Sequence, residues 1–198
     1  MILNKRFWVV LFSIVFFQCK KEKQLVIDTK QEVTEKQIVK LDTIKFTKGY
    51  DFPVGKPDAK QYYNAQKFQE NNHLGDDWNG KGGGNTDLGD PIYAIANGYV
   101  SFAEDIKGGW GNVIRIIHYN PDKTKVESLY AHCKTILVKQ GDYVTKGAKI
   151  GTIGTADGAY LAHLHLEIRD DIKLPIGPGY SPETKGYLNP TDYIINNR

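Results

Sequence analysis

The sequence predicts a mainly β protein: one small antiparallel β-sheet domain, preceded by a signal segment and a flexible tether. Three observations predict it. From Gly49 onward, strand-length runs rich in Val, Ile and Tyr alternate with Gly and Asn turn residues. The chain holds 20 Gly and 12 Tyr but one Met, a composition that favours strands and turns over long helices. Hydrophobic residues make up 40% and charged residues 25% of the 198, the balance of a globular chain, which excludes wholesale disorder. A net charge of +3 is no nucleic-acid footprint, which needs clustered Lys and Arg. Two cysteines, Cys19 and Cys133, supply neither a disulfide framework nor a Cys-rich zinc finger.

The first element is an export signal over residues 1–18. Lys5 and Arg6 precede an apolar run, Phe7 to Phe17, broken only by Ser13. That is a positive n-region and an h-region of signal-peptide length. It is shorter than the ~20 apolar residues that cross a bilayer. Cys19 follows, then Lys20, Lys21, Glu22 and Lys23. A Cys behind an h-region resembles a bacterial lipobox, with Phe16, Phe17 and Gln18 where Leu and small residues are usual. The resemblance implies lipidation of Cys19 and a membrane-anchored envelope lipoprotein. The alternative is a plain cleaved signal and a secreted protein.

Residues 19–48 read as a tether. Lys and Glu alternate with isolated Val and Ile, too few to close a core. If extended, ~30 residues reach at most about 100 Å. Residues 49–198 read as one domain with strand runs PIYAIA, GYVSFAE, NVIRIIHY, KVESLYAHC, DYVTKGAKIGTIG and LAHLHLEIR. Asn120 to Lys123 is the expected turn between two of them. Residues 57–70 fit either a helix or an irregular loop. Tyr187 to Ile195 reads as a closing turn and packing segment.

The histidines carry the chemistry. In the run Ala162 to Arg169, Ala162, Leu164, Leu166 and Ile168 form one face. His163, His165, Glu167 and Arg169 form the other. Residues i and i+2 of a strand share a side, so both imidazoles project from one face, with Cα atoms about 7 Å apart. One can bind a metal while the other reaches a ligand on that metal. His73-Leu74-Gly75-Asp76-Asp77 adds a second half-site, its glycine favouring a turn. Imidazole plus carboxylate is a zinc pair, and two His with one Asp leave the fourth tetrahedral position open, as in catalytic sites. Asp76 rivals Asp77 as the ligand. His132, in Tyr130-Ala131-His132 at a strand end, is a further imidazole for proton transfer or oxyanion stabilisation.

Taken in order, H-x-x-x-D, Y-x-H and H-x-H resemble the lysostaphin/LytM-type zinc endopeptidases of peptidoglycan. HLGDDWNG, GDPIYAIANGYV, GNVIRIIH and VKQGDYVTKGAKIGTIG resemble that family's framework. The resemblance covers roughly residues 70–170. It implies a duplicated-hybrid-motif-like sheet with an open groove and one zinc ion per chain. It implies His73, Asp77 and His165 as metal ligands and His132 and His163 as the catalytic pair. There is no HExxH, hence no glutamate base of the thermolysin kind. Leu166 and the AYLA approach to His163 depart from the Phe and Gly/Pro often found there.

Other features carry less. His118 ends a strand with no motif partner and reads as structural. Cys133 should face away from His132, because strand neighbours alternate, and reads as a small buried hydrophobe. Gly82 to Gly84 lack a following GK[ST] and read as a rim loop rather than a phosphate loop. Trp78 and Trp110 could line a substrate groove, but core or framework packing is the better reading. Three functions compete: the zinc endopeptidase; a non-catalytic wall-binding adaptor or activator of another hydrolase on the same fold; and a phosphocarrier or biotinyl/lipoyl-type carrier. An adaptor should lack a ligand or a catalytic histidine, and all five groups are present. The export signal argues against cytoplasmic phosphotransfer, and no carrier-type hairpin lysine is visible. A regulatory protein partner is left open.

Overall fold

A computed structural model describes residues 44–198 of the chain. The expected signal segment, Cys19 and the tether up to residue 43 lie outside the described residues. The strands are β1 (Tyr62–Gln66), β2 (Asp76–Gly80), β3 (Pro91–Tyr93), β4 (Gly98–Asp105), β5 (Asn112–Tyr119) and β6 (Lys125–Ile136). β7 (Tyr143–Val144), β8 (Lys149–Ile153), β9 (Leu164–Arg169) and β10 (Tyr187–Leu188) follow, and a short helix α1 (Pro190–Asn196) closes the fold. The protein is mainly β, an open antiparallel sheet ordered β1-β2-β9-β6-β5-β4-β7. β10 pairs with β9, while β8 pairs with β6 and carries β3. Among the described residues no helix is long and apolar enough to cross a membrane.

The strands form where the sequence alternates. In β5, Val113, Ile114, Ile116 and His118 are buried while Arg115 and Ile117 are less so. β5 turns into β6 through Asn120 to Lys123: Lys123 N–H donates to the Asn120 carbonyl, and Asp122 Oδ1 accepts from Thr124 N–H at 2.9 Å. That is the expected hairpin turn. β9 sits between β2 and β6, and all six of its residues are buried. Leu164, Leu166 and Ile168 enter the main core, as the alternation predicted, with Ile114, Ile116, Tyr130 and Ile153. The polar face of the same strand is also covered, so His165, Glu167 and Arg169 are buried charges and imidazole rather than solvated ones.

Two segments differ from the sequence expectation. Residues 57–70 are neither a helix nor wholly irregular, because they contain β1 as an edge strand on β2. Its Tyr-Tyr pair alternates half-buried with exposed, a signal too short to read against the flanking Lys and Gln. The closing segment becomes β10 and then α1. Asn189 caps that helix by accepting from Asp192 N–H at 3.2 Å, with Pro190 at its first position. Trp78 is core, packed on Phe52 with ring centroids 5.1 Å apart.

Candidate metal centre and its groove

β2 and β9 are antiparallel neighbours with Asp77 opposite His165. His73 precedes β2 in extended conformation and bridges to Tyr180. Residues 73, 75 and 77 share parity, so the His73 and Asp77 side chains rise on one face. Gly75 lies between them without a side chain, and the His165 ring occupies that space. His73 Nε2 is 3.0 Å from His165 Nδ1 and 3.4 Å from Asp77 Oδ1. His165 Nδ1 is 2.9 Å from the same Asp77 oxygen. Asp76 points the other way, accepting from Phe68 N–H and from Thr191 N–H and hydroxyl. Strand alternation thus separates the two rival carboxylates.

This triangle places the lone pairs of two imidazoles and a carboxylate around one point, an arrangement that calls for a proton or a cation. Burial, which alone would raise the Asp77 carboxyl, is outweighed by hydrogen bonds to His165 and His73 that hold it well below the usual carboxylate range. Burial opposes charge on His165, yet Asp77 and Glu167 raise it to about 9. The site therefore favours positive charge at its centre. Ligands about 2.0–2.1 Å from a tetrahedral zinc stand about 3.3 Å apart, close to the observed spacing. The donor set fits zinc and leaves one position open.

His163 and His132 stand beside this point. His163 Nε2 is 3.8 Å from Asp77 Oδ1, and its Nδ1–H donates to the Leu161 carbonyl at 2.8 Å. The His132 ring lies 4.7 Å from that of His163 and 5.7 Å from that of His165, centroid to centroid. Burial, followed by the neighbouring imidazoles, lowers His132 to about 3, so it is neutral at physiological pH. Both peptide groups of Ala162 are gripped just ahead of His163: its N–H donates to Asn85 Oδ1 at 2.8 Å, and its carbonyl accepts from Asn79 Nδ2 at 3.1 Å.

All five expected residues, His73, Asp77, His132, His163 and His165, line one groove. Trp110, Tyr160, Tyr180 and Gln66 also line it; the sequence offered Trp110 a groove role only as the lesser reading and did not single out the other three. Trp110 does pack on the core as expected, but it also stacks on His132 with centroids 6.4 Å apart. Tyr180 leans on His73 and donates its hydroxyl to Gln66 Oε1 at 2.9 Å. Gly82 to Gly84 do not line the groove among the described residues. His118 lies elsewhere, fully buried, with Nδ1 2.9 Å from the Asn97 carbonyl and Nε2 2.7 Å from Ser128 Oγ. Cys133 faces the core, and burial pushes its thiol up to about 12, so it is no nucleophile.

An open antiparallel sheet that carries these groups in an aromatic-walled groove defines a lysostaphin/LytM-type domain. The model of peptidase family M23 matches residues 73–178, more than half of the chain, and the chain belongs to that family. It is 44% identical over 81 residues to Lipoprotein NlpD of Yersinia enterocolitica, covering 41% of this chain and 78% of that one. It is 42% identical over 81 residues to Murein hydrolase activator NlpD of Escherichia coli, where the match spans 41% of this chain and only 20% of the activator. The catalytic domain of the M23 protein EnpA from Enterococcus faecalis has the same fold, with a TM-score of 0.51, 21% identity, and coverage of 73% of this chain and 97% of that one.

Proposed function

We propose that this chain is a zinc-dependent endopeptidase that hydrolyses peptide bonds in the stems or cross-links of peptidoglycan. The observation that carries the reading is the meeting of His73 Nε2, Asp77 Oδ1 and His165 Nδ1 at one point, with His163 and His132 alongside. Those three atoms would hold one zinc ion. Bound there, the metal supplies a Lewis acid that polarises a scissile carbonyl and makes water acidic near neutrality. The chain's own residues supply the rest. His163 spends its Nδ1–H on Leu161, which leaves Nε2 free to take a proton on the Asp77 side. His132, kept neutral by burial, is a hydrogen-bond donor for a developing oxyanion. The protonated His163 then returns its proton to the leaving amine. Trp110, Tyr160 and Tyr180 line the groove in which the peptide would lie.

The test is the zinc-loaded chain, freed of residues 1–18, incubated with purified peptidoglycan and read by muropeptide mass spectrometry. Solubilisation that stops on chelation is expected. His163→Ala should lower it at least about a hundredfold, the usual contribution of a positioned acid–base group, while zinc stays bound. Asp77→Ala should lose the zinc. An unchanged muropeptide profile across several wall chemistries overturns the reading.

A second reading is favoured by the relatives named Murein hydrolase activator: a non-catalytic activator of another hydrolase. It predicts no solubilisation by the chain alone and stimulation of a partner hydrolase that survives His163→Ala. We also place the chain in the cell envelope, anchored in a membrane through lipidated Cys19, because two of its relatives are named lipoproteins. The mass of the mature N-terminus tests that anchor.

A further inference from the structure

We infer that Glu167 is a positioning residue that fixes which ring nitrogen His165 turns toward the cation site. The inference rests on the metal reading above and adds a residue to it. His165 Nδ1 faces Asp77 and His73, and its other nitrogen, Nε2, lies 3.2 Å from Glu167 Oε1. Glu167 is fully buried. Its second oxygen is held by Arg169, whose Nε donates at 2.8 Å. A carboxylate flanked in this way accepts on both oxygens and donates on neither. His165 Nε2 must then carry the ring proton, and Nδ1 keeps its lone pair for a cation.

The carboxylate has no freedom to turn. Arg169 Nη1 donates to the Pro175 carbonyl at 3.1 Å and stands 3.9 Å from Glu127 Oε2. Glu127 accepts from Arg115 Nε at 2.8 Å and from the Ser101 hydroxyl at 3.0 Å. Arg115 Nη2 donates to the Leu174 carbonyl at 2.8 Å. Two buried carboxylates, the buried Arg169 guanidinium and the partly exposed Arg115 guanidinium thus stand behind one imidazole. Buried ion clusters are poor stabilisers, and well-packed apolar residues often serve as well or better. Stability does not account for the cluster, whereas orientation of the ring does. Strand geometry builds it directly, since His165, Glu167 and Arg169 are successive same-face residues of β9.

The experiment measures zinc affinity by competition with a chromophoric chelator at fixed pH, for the wild-type chain and for Glu167→Gln, Glu167→Asp and Glu127→Gln. A glutamine can turn its amide and donate to Nε2, which admits the wrong tautomer. An aspartate keeps the charge opposite Arg169 but retreats from Nε2 by one methylene. Both Glu167 variants should bind zinc about tenfold to a hundredfold more weakly, the usual effect of removing an outer hydrogen bond to a ligand imidazole. NMR of the imidazole nitrogens in the zinc-loaded wild type should show Nε2 protonated. Glu127→Gln disturbs the same ion cluster but is separated from His165 by Glu167 and Arg169. It should lower the melting temperature and weaken zinc binding clearly less than either Glu167 variant does. Should Glu167→Gln fail to fold, Glu167→Asp decides. Zinc bound through Asp77 with unchanged affinity in a folded Glu167 variant overturns this inference and leaves the proposed function standing. Equal weakening by Glu127→Gln also overturns it. A wild-type chain that binds no zinc overturns both.

Discussion

A Cβ on Gly75 would stand 2.8 Å from His165 Cε1 and 2.5 Å from the Leu166 carbonyl oxygen. Neither neighbour is a flexible tip, so one of the strands must yield. The Gly75→Ala variant should therefore part β2 from β9 at the point where the candidate ligands meet. Overpacking of this kind costs about 1–3 kcal/mol, which in a chain of this size lowers the melting temperature on the order of 5 °C. Differential scanning calorimetry reads that loss, and zinc competition should show weakened binding beside it. The candidate ligands were legible in the sequence through the ordered set of motifs, since each motif alone is weak. From local residues alone the choice between Asp76 and Asp77 stayed open, and only the family resemblance pointed to Asp77. The choice depends on β2 being a strand, and Gly75 and Gly80 had favoured a turn. Glu167 was read only as a member of the polar face of its strand.

At the scale of the element, β6 breaks its own regularity where it delivers His132. From Ile114 opposite Tyr130 to Asn112 opposite Cys133, β6 spends an extra residue. His132 sits in that bulge with φ of +59°, in the left-handed region. Sequence alternation placed Cys133 and His132 on opposite sides, and they are, but the bulge rather than simple pleating aims the imidazole into the groove. Such a backbone costs on the order of 1 kcal/mol for a residue with a side chain. His132→Gly should accordingly melt no lower than His132→Ala, the reverse of the usual order in a strand, where Gly is the weaker residue. Both variants should lose peptidoglycan solubilisation at least about a hundredfold if His132 acts as proposed. A thermal melt series and a sacculus assay on the two variants check both halves.

For the molecule as a whole, pH should act through a group far from the groove. His118 is buried, and that burial lowers it from 6.5 to about 4. Its neutral ring fits its partners. Nδ1–H donates to the Asn97 carbonyl, so Nε2 accepts from the Ser128 hydroxyl, which in turn lies 3.0 Å from the Tyr130 hydroxyl. A group lowered on folding is protonated first in the unfolded chain. Stability is thus full above pH 6.5 and is lost as pH falls toward about 4, by on the order of 3 kcal/mol. His118→Gln, which can keep both hydrogen bonds, should flatten that slope; urea melts between those pH values measure it. The mainly β class, the hairpin turn and the order of the histidine motifs were readable from one chain because each is local. The burial of β9 on both faces was not, since it depends on β10 and on the Leu174–Pro175 carbonyls that cover it from later in the chain.

The grip of Asn79 and Asn85 on Ala162 reaches across more than seventy residues of sequence. The glycine-rich stretch that presents Asn85 touches no reacting group, yet it fastens the backbone from which His163 hangs. Severing the chain within Gly82-Gly83-Gly84 would leave every groove side chain covalently intact and should still loosen the hold on the backbone ahead of His163. The stretch that looks most dispensable is therefore a guy-rope of the segment that carries His163.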